Sequence, residues 1–161
     1  MAMYKAQVQT DSGTWVDCTV DSKSQLSPHA SFEEISNPSC REEIKLKLPL
    51  EARIHNKAWE IVRGMYGKPI PINGGYRSPT FNAEHGGSVD SQHLKCCAYD
   101  CGLGRISDSL WNSFYWWCYA AALKCDVQCE LGRYDWGLHI AFAKLPYTNK
   151  IVYTYDKRTK K

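Results

Sequence analysis

A long stretch rich in glycine, serine and asparagine, residues 74–91, lies between two segments of helical character. It is longer than the connections that compact domains usually contain, and loops of that length are typically functional. Before it, residues 49–66 have apolar side chains at helical spacing, with glycines at the exit. After it, Ser107 or Asp108 caps a second helix that continues to about Lys124. The sequence therefore predicts a functional loop between two helices.

Short segments of strand character surround these helices. Residues 1–25 contain two alternating segments around a turn at 11–13, which is typical of a β-hairpin. Further strands are predicted at 68–73, 97–101, 127–131, 138–142 and 151–155. This order of elements predicts an α+β fold with a mainly antiparallel sheet and helices packed on one side.

We expect three parts in the chain. Residues 1–25 form an N-terminal β appendage, residues 26–155 a single domain, and residues 156–161 a basic, frayed tail. The start of the central part, to about residue 42, is predicted as a loop. Within it, Ser31 and Glu34 have the spacing of a capped helical turn.

Composition excludes several classes of protein. The chain has 161 residues, 43% hydrophobic and 23% charged, which is typical of one folded domain. A formal net charge of +3 is too small to indicate nucleic-acid binding, and we expect none. The longest apolar stretch, residues 110–123, is shorter than a membrane span of about 20 residues, and the first residues lack a signal-peptide core. We expect a monomer made in the cytoplasm without a signal peptide.

The chain has eight cysteines and no CxxC pair. Without that pair the common zinc-finger and thioredoxin motifs are absent, so we expect mostly reduced, buried thiols. One alternative remains, because His93, Cys97 and Cys101 are four residues apart and would share one face of a helix. That arrangement would give a structural Cys/His zinc site in a nucleic-acid-binding protein.

Three residues have the chemistry of a catalytic zinc site. His93 and Asp100 are close in sequence, and imidazole and carboxylate groups are both zinc ligands. If residues 98–100 form a strand, Asp100 can point back toward the loop that carries His93. His139 is the best third candidate, since it alternates with apolar residues in a predicted strand. A catalytic zinc has three protein ligands and one open position.

Two further residues would complete a hydrolytic site. If residue 130 pairs with residue 139, Glu130 and His139 lie side by side on one sheet face, and Glu130 can act as a general base. Asp135, four residues before His139, is the rival candidate for the base. Arg77, in the sequence Gly-Gly-Tyr-Arg-Ser-Pro, can hold an oxyanion or a substrate carboxylate.

These motifs together resemble the zinc D-Ala-D-Ala carboxypeptidase family. The resemblance rests on the GGYRSP loop, the SQH triplet, an aspartate seven residues after its histidine, an acidic strand and the sequence LHI. It covers roughly residues 32–143 and is closest to small single-domain members, many of them encoded by bacteriophages. It implies the hedgehog/DD-peptidase fold and a zinc peptidase domain within residues 26–155.

The resemblance also implies roles for individual residues. His93, Asp100 and His139 would bind Zn²⁺, Arg77 would stabilise the transition state, and Glu130 matches the acidic position best. Ser91 and Gln92 would line the substrate site. The implied substrate is a peptidoglycan stem peptide, cut by a D,D-carboxypeptidase or endopeptidase through a zinc-activated water. Independently, we expect Tyr76, beside Arg77, and Trp136, in the predicted hairpin loop, to contact substrate.

Three departures from the family pattern leave a second hypothesis open. Cys96 stands where the family usually has glycine, Ala141 stands where many members have Asp or Ser, and the distance from Glu130 to His139 is unusual. The alternative is a catalytically weak or inactive zinc-binding module of the same fold that binds a partner or the cell wall. A peptidase of this kind would act on the bacterial cell wall only if phage lysis or a virion delivers it.

Overall fold

The computed structural model describes residues 3–21, 23, 25–36, 46–146 and 149–160. Its helices are α1 (Phe32–Ser36), α2 (Leu50–Tyr66), α3 (Pro79–Glu84) and α4 (Asp108–Cys125), with a 3₁₀ turn at Gln92–Lys95. Its strands are β1 (Met3–Gln9), β2 (Trp15–Asp21), β3 (Gln25–Ser27), β4 (Ala30–Ser31), β5 (Leu46–Leu48), β6 (Ile72–Gly74), β7 (Ala98–Cys101), β8 (Gln128–Tyr134), β9 (Gly137–Ala143) and β10 (Val152–Asp156).

The predicted N-terminal hairpin is present and is joined by a strand from further along the chain. β1 and β2 pair antiparallel, with Ala6 opposite Cys18. On its other edge, β1 pairs parallel with β5, so the small sheet has the order β2-β1-β5. The division at residue 25 remains a prediction, and β5 ties the hairpin to the region that follows it.

The central sheet has five strands in the order β10-β8-β9-β7-β6. Its pairs are antiparallel except β10 with β8, which run parallel. The prediction of an α+β fold is therefore correct, and the sheets, which were predicted to be mainly antiparallel, are partly parallel. The parallel pair forms because β9 ends beside the start of β8, with Ala143 opposite Gln128, and β10 begins at this same end, with Val152 opposite Cys129.

Helices α2 and α4 pack against each other and against the central sheet. Leu138 and Ile140 of β9 are fully buried in the core that these helices cover, together with Trp59 of α2 and Phe114 of α4. His139, between them in sequence, belongs to the opposite face because side chains alternate along a strand. The alternation of apolar residues along β9 thus determines which face of the sheet presents polar side chains.

The helix boundaries follow the local capping residues. α2 follows Pro49 and ends at Gly67, whose φ of 73° is left-handed and suits glycine. The Ser107 side chain caps α4 by accepting a hydrogen bond from Leu110 N at 3.1 Å. In α1, Ser31 N donates to Glu34 Oε2 at 3.0 Å, as the capping motif predicted.

Two local expectations need correction. The predicted loop at 74–91 contains helix α3, where the Ser78 side chain is the N-cap and Pro79 occupies the first turn. The tail after β10 is not frayed over its described residues, because Lys157 N donates to Arg133 O at 2.8 Å and Thr159 N donates to Asp135 Oδ2 at 2.9 Å. Backbone and side-chain partners on the β8–β9 hairpin therefore hold this segment.

Two composition-based expectations can be compared with the described residues. None of the helices they form combines the length and apolarity needed to cross a membrane. The seven described cysteines are free thiols, and five of them are buried. Cys40 and residues 37–42 of the predicted loop lie outside the described residues.

Candidate metal centre

A cleft of about 620 Å³ opens on the face of the central sheet away from α2 and α4. Its walls come from the segments on both sides of α3, from β7, from the β8–β9 hairpin and the residues that follow it, and from β10. Predicted site residues that line it are Arg77, Ser91, Gln92, His93, Asp100, Glu130, Trp136 and His139. Gly87 also lines it, together with six residues that the sequence did not single out: Ser88, Asp90, Tyr134, Leu145, Pro146 and Tyr155.

His93, Asp100 and His139 form one cluster in this cleft. Asp100 and His139 are direct partners across β7 and β9, which places their side chains next to each other on one face. His93 comes from the 3₁₀ turn that leads into β7. Within the described residues, this is the one group of His, Cys, Asp and Glu side chains with metal-binding geometry.

The cluster fits a tetrahedral zinc ion. His93 Nε2 lies 3.3 Å from Asp100 Oδ1, and His139 Nδ1 lies 3.2 Å from the same oxygen. Zinc bonds of about 2.0–2.1 Å at the tetrahedral angle separate two ligand atoms by about 3.3 Å. The two imidazoles and one carboxylate are also the ligand types that zinc prefers.

Hydrogen bonds orient both histidines for this role. His93 Nδ1 lies 2.6 Å from Gly75 O, so this nitrogen carries the proton and Nε2 faces Asp100. His139 Nε2 donates to Glu130 Oε1 at 2.9 Å, so Nδ1 is the nitrogen that faces Asp100. Histidines that bind metals commonly donate their second nitrogen to a carbonyl or carboxylate in this way.

The electrostatics of the cluster favour a bound cation. Burial raises the pKa of Asp100, but hydrogen bonds and positive charge from His139 and His93 outweigh burial and lower that pKa below its ordinary value. Burial lowers the pKa of His139, but hydrogen bonds to Asp100 and Glu130 outweigh it and raise that pKa to about 9. The two carboxylates therefore stabilise positive charge on the His139 ring, and a divalent cation at His139 Nδ1 would take the place of the proton.

Glu130 reaches His139 through a register that differs from the predicted one. Glu130 is opposite Ala141, and Gly132 is opposite His139, so the expected pairing of 130 with 139 is wrong. Residues 130 and 132 share one sheet face because side chains alternate, so Glu130 is the diagonal neighbour of His139. The expected contact forms despite the shift.

Asp135 lies in the hairpin turn, outside the cleft lining. It pairs with Arg105 and accepts a hydrogen bond from Thr159 Oγ1 at 2.6 Å. The hydrogen bonds from Thr159 and the charge of Arg105 lower the pKa of Asp135. This position and these partners argue against the rival assignment of Asp135 as the base.

Arg77 lies beside the metal cluster. Its Nη2 atom is 3.6 Å from Asp100 Oδ2, and its backbone N donates to His93 O at 3.0 Å. The guanidinium is half-buried and lines the cleft. Arg77 therefore presents a positive charge next to the Asp100 carboxylate.

The four predicted substrate contacts separate into two groups. Ser91, Gln92 and Trp136 line the cleft, and Ser91 Oγ also accepts a hydrogen bond from His93 N at 3.3 Å. Tyr76 is 3% exposed and belongs to the hydrophobic core, so the structure does not bring it to the cleft. It points inward because neighbouring residues in an extended segment face opposite sides, and Arg77 faces the cleft.

The structure contradicts the alternative Cys/His zinc site. His93 is in a 3₁₀ turn and Cys101 in β7, so they share no helix face with Cys97. Burial raises the pKa of Cys97 to about 12, which keeps it a neutral thiol rather than a thiolate ligand.

Two departures from the family pattern have visible structural consequences. Cys96 adopts a left-handed conformation with φ of 56° at the end of the 3₁₀ turn, a conformation that favours glycine. Ala141 is buried directly opposite Glu130. The methyl group of Ala141 adds no polar contact to that carboxylate.

Three aromatic residues of the cleft form a connected wall. The Tyr134 and Trp136 rings stack at 4.6 Å, and the Tyr134 and Tyr155 rings are perpendicular at 5.9 Å. Of these, only Trp136 was predicted from its hairpin position. Tyr155 could not be found from sequence because its place depends on the parallel pairing of β10 with β8.

The structure combines an α+β chain with a His–Asp–His cluster that could hold a metal ion, beside a carboxylate and an arginine. A family model described as Peptidase M15 matches residues 36–113. The match confirms the resemblance to the zinc D-Ala-D-Ala carboxypeptidase-like M15 family, whose peptidases depend on zinc. No curated protein and no solved structure matches the chain. The matched range includes His93 and Asp100 and ends before Glu130 and His139.

Proposed function

We propose that this protein is a zinc-dependent peptidase that hydrolyses peptidoglycan stem peptides, as a D,D-carboxypeptidase or an endopeptidase. The observation that carries the proposal is the cluster of two histidines and one carboxylate in an open cleft. His93 Nε2 and His139 Nδ1 lie 3.3 Å and 3.2 Å from Asp100 Oδ1. The family match supports peptidase chemistry and suggests a peptidoglycan substrate. The hedgehog/DD-peptidase fold and the bacteriophage source are part of the same proposal.

His93, Asp100 and His139 would hold the ion. When bound, zinc supplies a Lewis acid that makes water more acidic and polarises a carbonyl group. Glu130 is the cleft carboxylate next to the cluster that is not itself a ligand, so it takes the proton of the attacking water and returns it to the leaving amine. Its bond to His139 fixes the carboxylate while it does so.

Arg77 and the cleft walls position the substrate. The Arg77 guanidinium stabilises the oxyanion of the tetrahedral intermediate or anchors a substrate carboxylate. Ser91 and Gln92 offer polar contacts from the turn that holds His93, and Trp136, which is 42% exposed, offers an apolar face. Tyr76 is not included, because its side chain lies in the core.

The test is mass spectrometry of purified stem peptides incubated with the zinc-loaded protein, with and without a chelator. The proposal predicts chelator-sensitive release of D-Ala or of a stem fragment, and the product mass identifies the bond. A folded, zinc-loaded sample that leaves all stem peptides intact would contradict it. Delivery to the cell wall by phage lysis or a virion is part of the proposal. A monomer suffices for the site, because one chain supplies every residue named.

A second candidate is a catalytically weak or inactive zinc-binding module of the same fold. The hydrogen bond from His139 to Glu130 favours it, since it gives this carboxylate a structural task without any turnover. Zinc content does not separate the two candidates. Measured turnover in the wild type, lost in Glu130→Gln while zinc is retained, would exclude the module.

A further inference from the structure

Tyr155 is a cleft residue that no motif or family resemblance assigns. It belongs to β10 and is opposite Gly132 of β8, and Gly132 is in turn opposite His139 of β9. Tyr155, Gly132 and His139 therefore form a row across three adjacent strands. The Tyr155 and His139 rings are 6.2 Å apart.

Gly132 lets the phenol lie over the middle of this row. A Cβ atom at Gly132 would be 2.5 Å from the Tyr155 hydroxyl oxygen and closer still to its ring carbon Cζ. The hydroxyl end of Tyr155 thus occupies the space that any other residue at position 132 would fill. It is directed along the row, from the sheet edge toward His139.

The hydroxyl is arranged as a hydrogen-bond donor to a group in the cleft. Tyr134 donates to the Tyr155 hydroxyl oxygen at 3.2 Å. Because that oxygen is the acceptor, the Tyr155 proton is available for another partner. Among the described residues, no acceptor takes it.

Tyr155 is a neutral donor at the pH at which a peptidase works, because a phenol ordinarily has a pKa of about 10. A neutral donor fixed beside a metal centre can stabilise negative charge that develops on a substrate oxygen.

We propose that Tyr155 is a catalytic residue whose hydroxyl donates a hydrogen bond to the oxygen of the scissile carbonyl and to the oxyanion that forms from it. This inference rests on the proposed peptidase function. Tyr155 is on the edge strand β10 and Arg77 follows the opposite edge strand β6, while Asp100 and His139 are on the strands between these edges. A substrate at the cluster is then contacted by a neutral donor from one edge and a cation from the other.

The test compares Tyr155→Phe with the wild type in the full-length, zinc-loaded chain. Removing one oxyanion donor lowers kcat by about 100-fold in well-studied cases, and we expect a loss of at least about 10-fold here, with KM little changed. Affinity for a phosphinate analogue of D-Ala-D-Ala, which carries a tetrahedral anion, should fall in parallel. Zinc content and thermal unfolding should match the wild type.

Tyr119→Phe is the matched control. It makes the same chemical change on α4, where Tyr119 packs with Tyr115 and Trp116 outside the cleft lining. It should leave kcat and phosphinate affinity unchanged. A Tyr155→Phe protein with wild-type kcat and phosphinate affinity would overturn the inference, as would one that only loses zinc or raises KM.

Failure of the broader proposal is distinguishable. A wild-type protein that neither cleaves stem peptides nor binds the phosphinate would overturn the peptidase function and the role of Tyr155 together. A wild type that does both, with an equally competent Tyr155→Phe variant, would overturn the role of Tyr155 alone.

Discussion

Glu130 and His139 are joined by a 2.9 Å hydrogen bond although they are not opposite each other in the β8–β9 ladder. The contact crosses the ladder diagonally, because the residue opposite His139 is Gly132 and the residue opposite Glu130 is Ala141. Through this bond Glu130 orients a histidine of the candidate metal cluster, and both side chains line the same cleft.

The two tasks of Glu130 can be separated by substitution. Glu130→Gln keeps an oxygen that accepts from His139 Nε2 but removes the base, so kcat should fall at least about 100-fold while zinc affinity changes little. Glu130→Ala also removes the acceptor, and zinc affinity should fall by about 10–100-fold. Stem-peptide kinetics and competition with a chromophoric chelator give the two readouts. A fully active Glu130→Gln protein would show that another group is the base.

The identity of the metal ligands is tested by paired substitutions. His139→Ala and Asp100→Ala should each abolish stoichiometric zinc binding, because each removes one of three ligands. Cys97→Ser and Cys101→Ser should retain zinc, since both cysteines are buried away from the cluster. Metal analysis of the purified, folded variants measures zinc per chain and distinguishes the two sets of ligands. Zinc loss in the cysteine variants with retention in His139→Ala would reverse the assignment.

Gly132→Ala tests the close approach of Tyr155 to β8. The new methyl group would overlap the phenol, so Tyr155 must shift and the protein should lose about 1–3 kcal/mol of unfolding free energy. Gly64→Ala, in α2 with open space where its new methyl group would lie, should instead be neutral or stabilise by up to about 1 kcal/mol. Urea unfolding measures both changes. Equal stability of the two variants would contradict the close approach.

His55 makes the stability depend on pH below neutrality. It is fully buried, its Nδ1 accepts from Phe142 N at 3.1 Å, and burial with the nearby charges of His93 and His139 lowers its pKa from 6.5 to about 3. Below pH 6.5 His55 is protonated in the unfolded chain, whereas in the folded chain it stays neutral until the pH approaches 3. Stability should therefore fall as the pH decreases through this window, by about 1.4 kcal/mol per pH unit.

His55→Asn isolates this contribution, because the asparagine oxygen can replace Nδ1 as the acceptor without titrating. Urea unfolding free energies at about pH 7 and about pH 5 should show a shallower dependence for the variant, by about 1.4 kcal/mol per pH unit below the unfolded pKa. Parallel pH dependences in the two proteins would rule out a neutral buried His55.

Local patterns predicted the elements that local interactions determine. α2 and α4 have the expected bounds because their caps are local. Gly67 ends α2 and the Ser107 side chain begins α4, each through a hydrogen bond to a residue within one turn. The strand that contains His139 was recognisable because its apolar neighbours alternate with it. The ligand trio came from ligand chemistry and family spacing, and the structure brings it together.

Properties set by distant parts of the chain could not be predicted in this way. The register of β8 on β9 depends on the turn at Asp135 and Trp136. In this register the residue opposite His139 is Gly132, not Glu130 as predicted. The parallel pairing that brings Tyr155 to the cleft joins strands that are not consecutive in sequence. Tyr76 was assigned to the cleft from its neighbour Arg77, but only the packing of the core shows that it points inward.

The most direct test of the central claim is metal reconstitution followed by mass spectrometry of a stem pentapeptide. The protein is stripped of metal, shown to remain folded, and titrated with zinc while cleavage is followed. The account predicts no cleavage by the stripped protein and full cleavage at about one zinc per chain, the stoichiometry of a single three-ligand site. Equal cleavage without metal, or none by the folded and zinc-loaded protein, would contradict it.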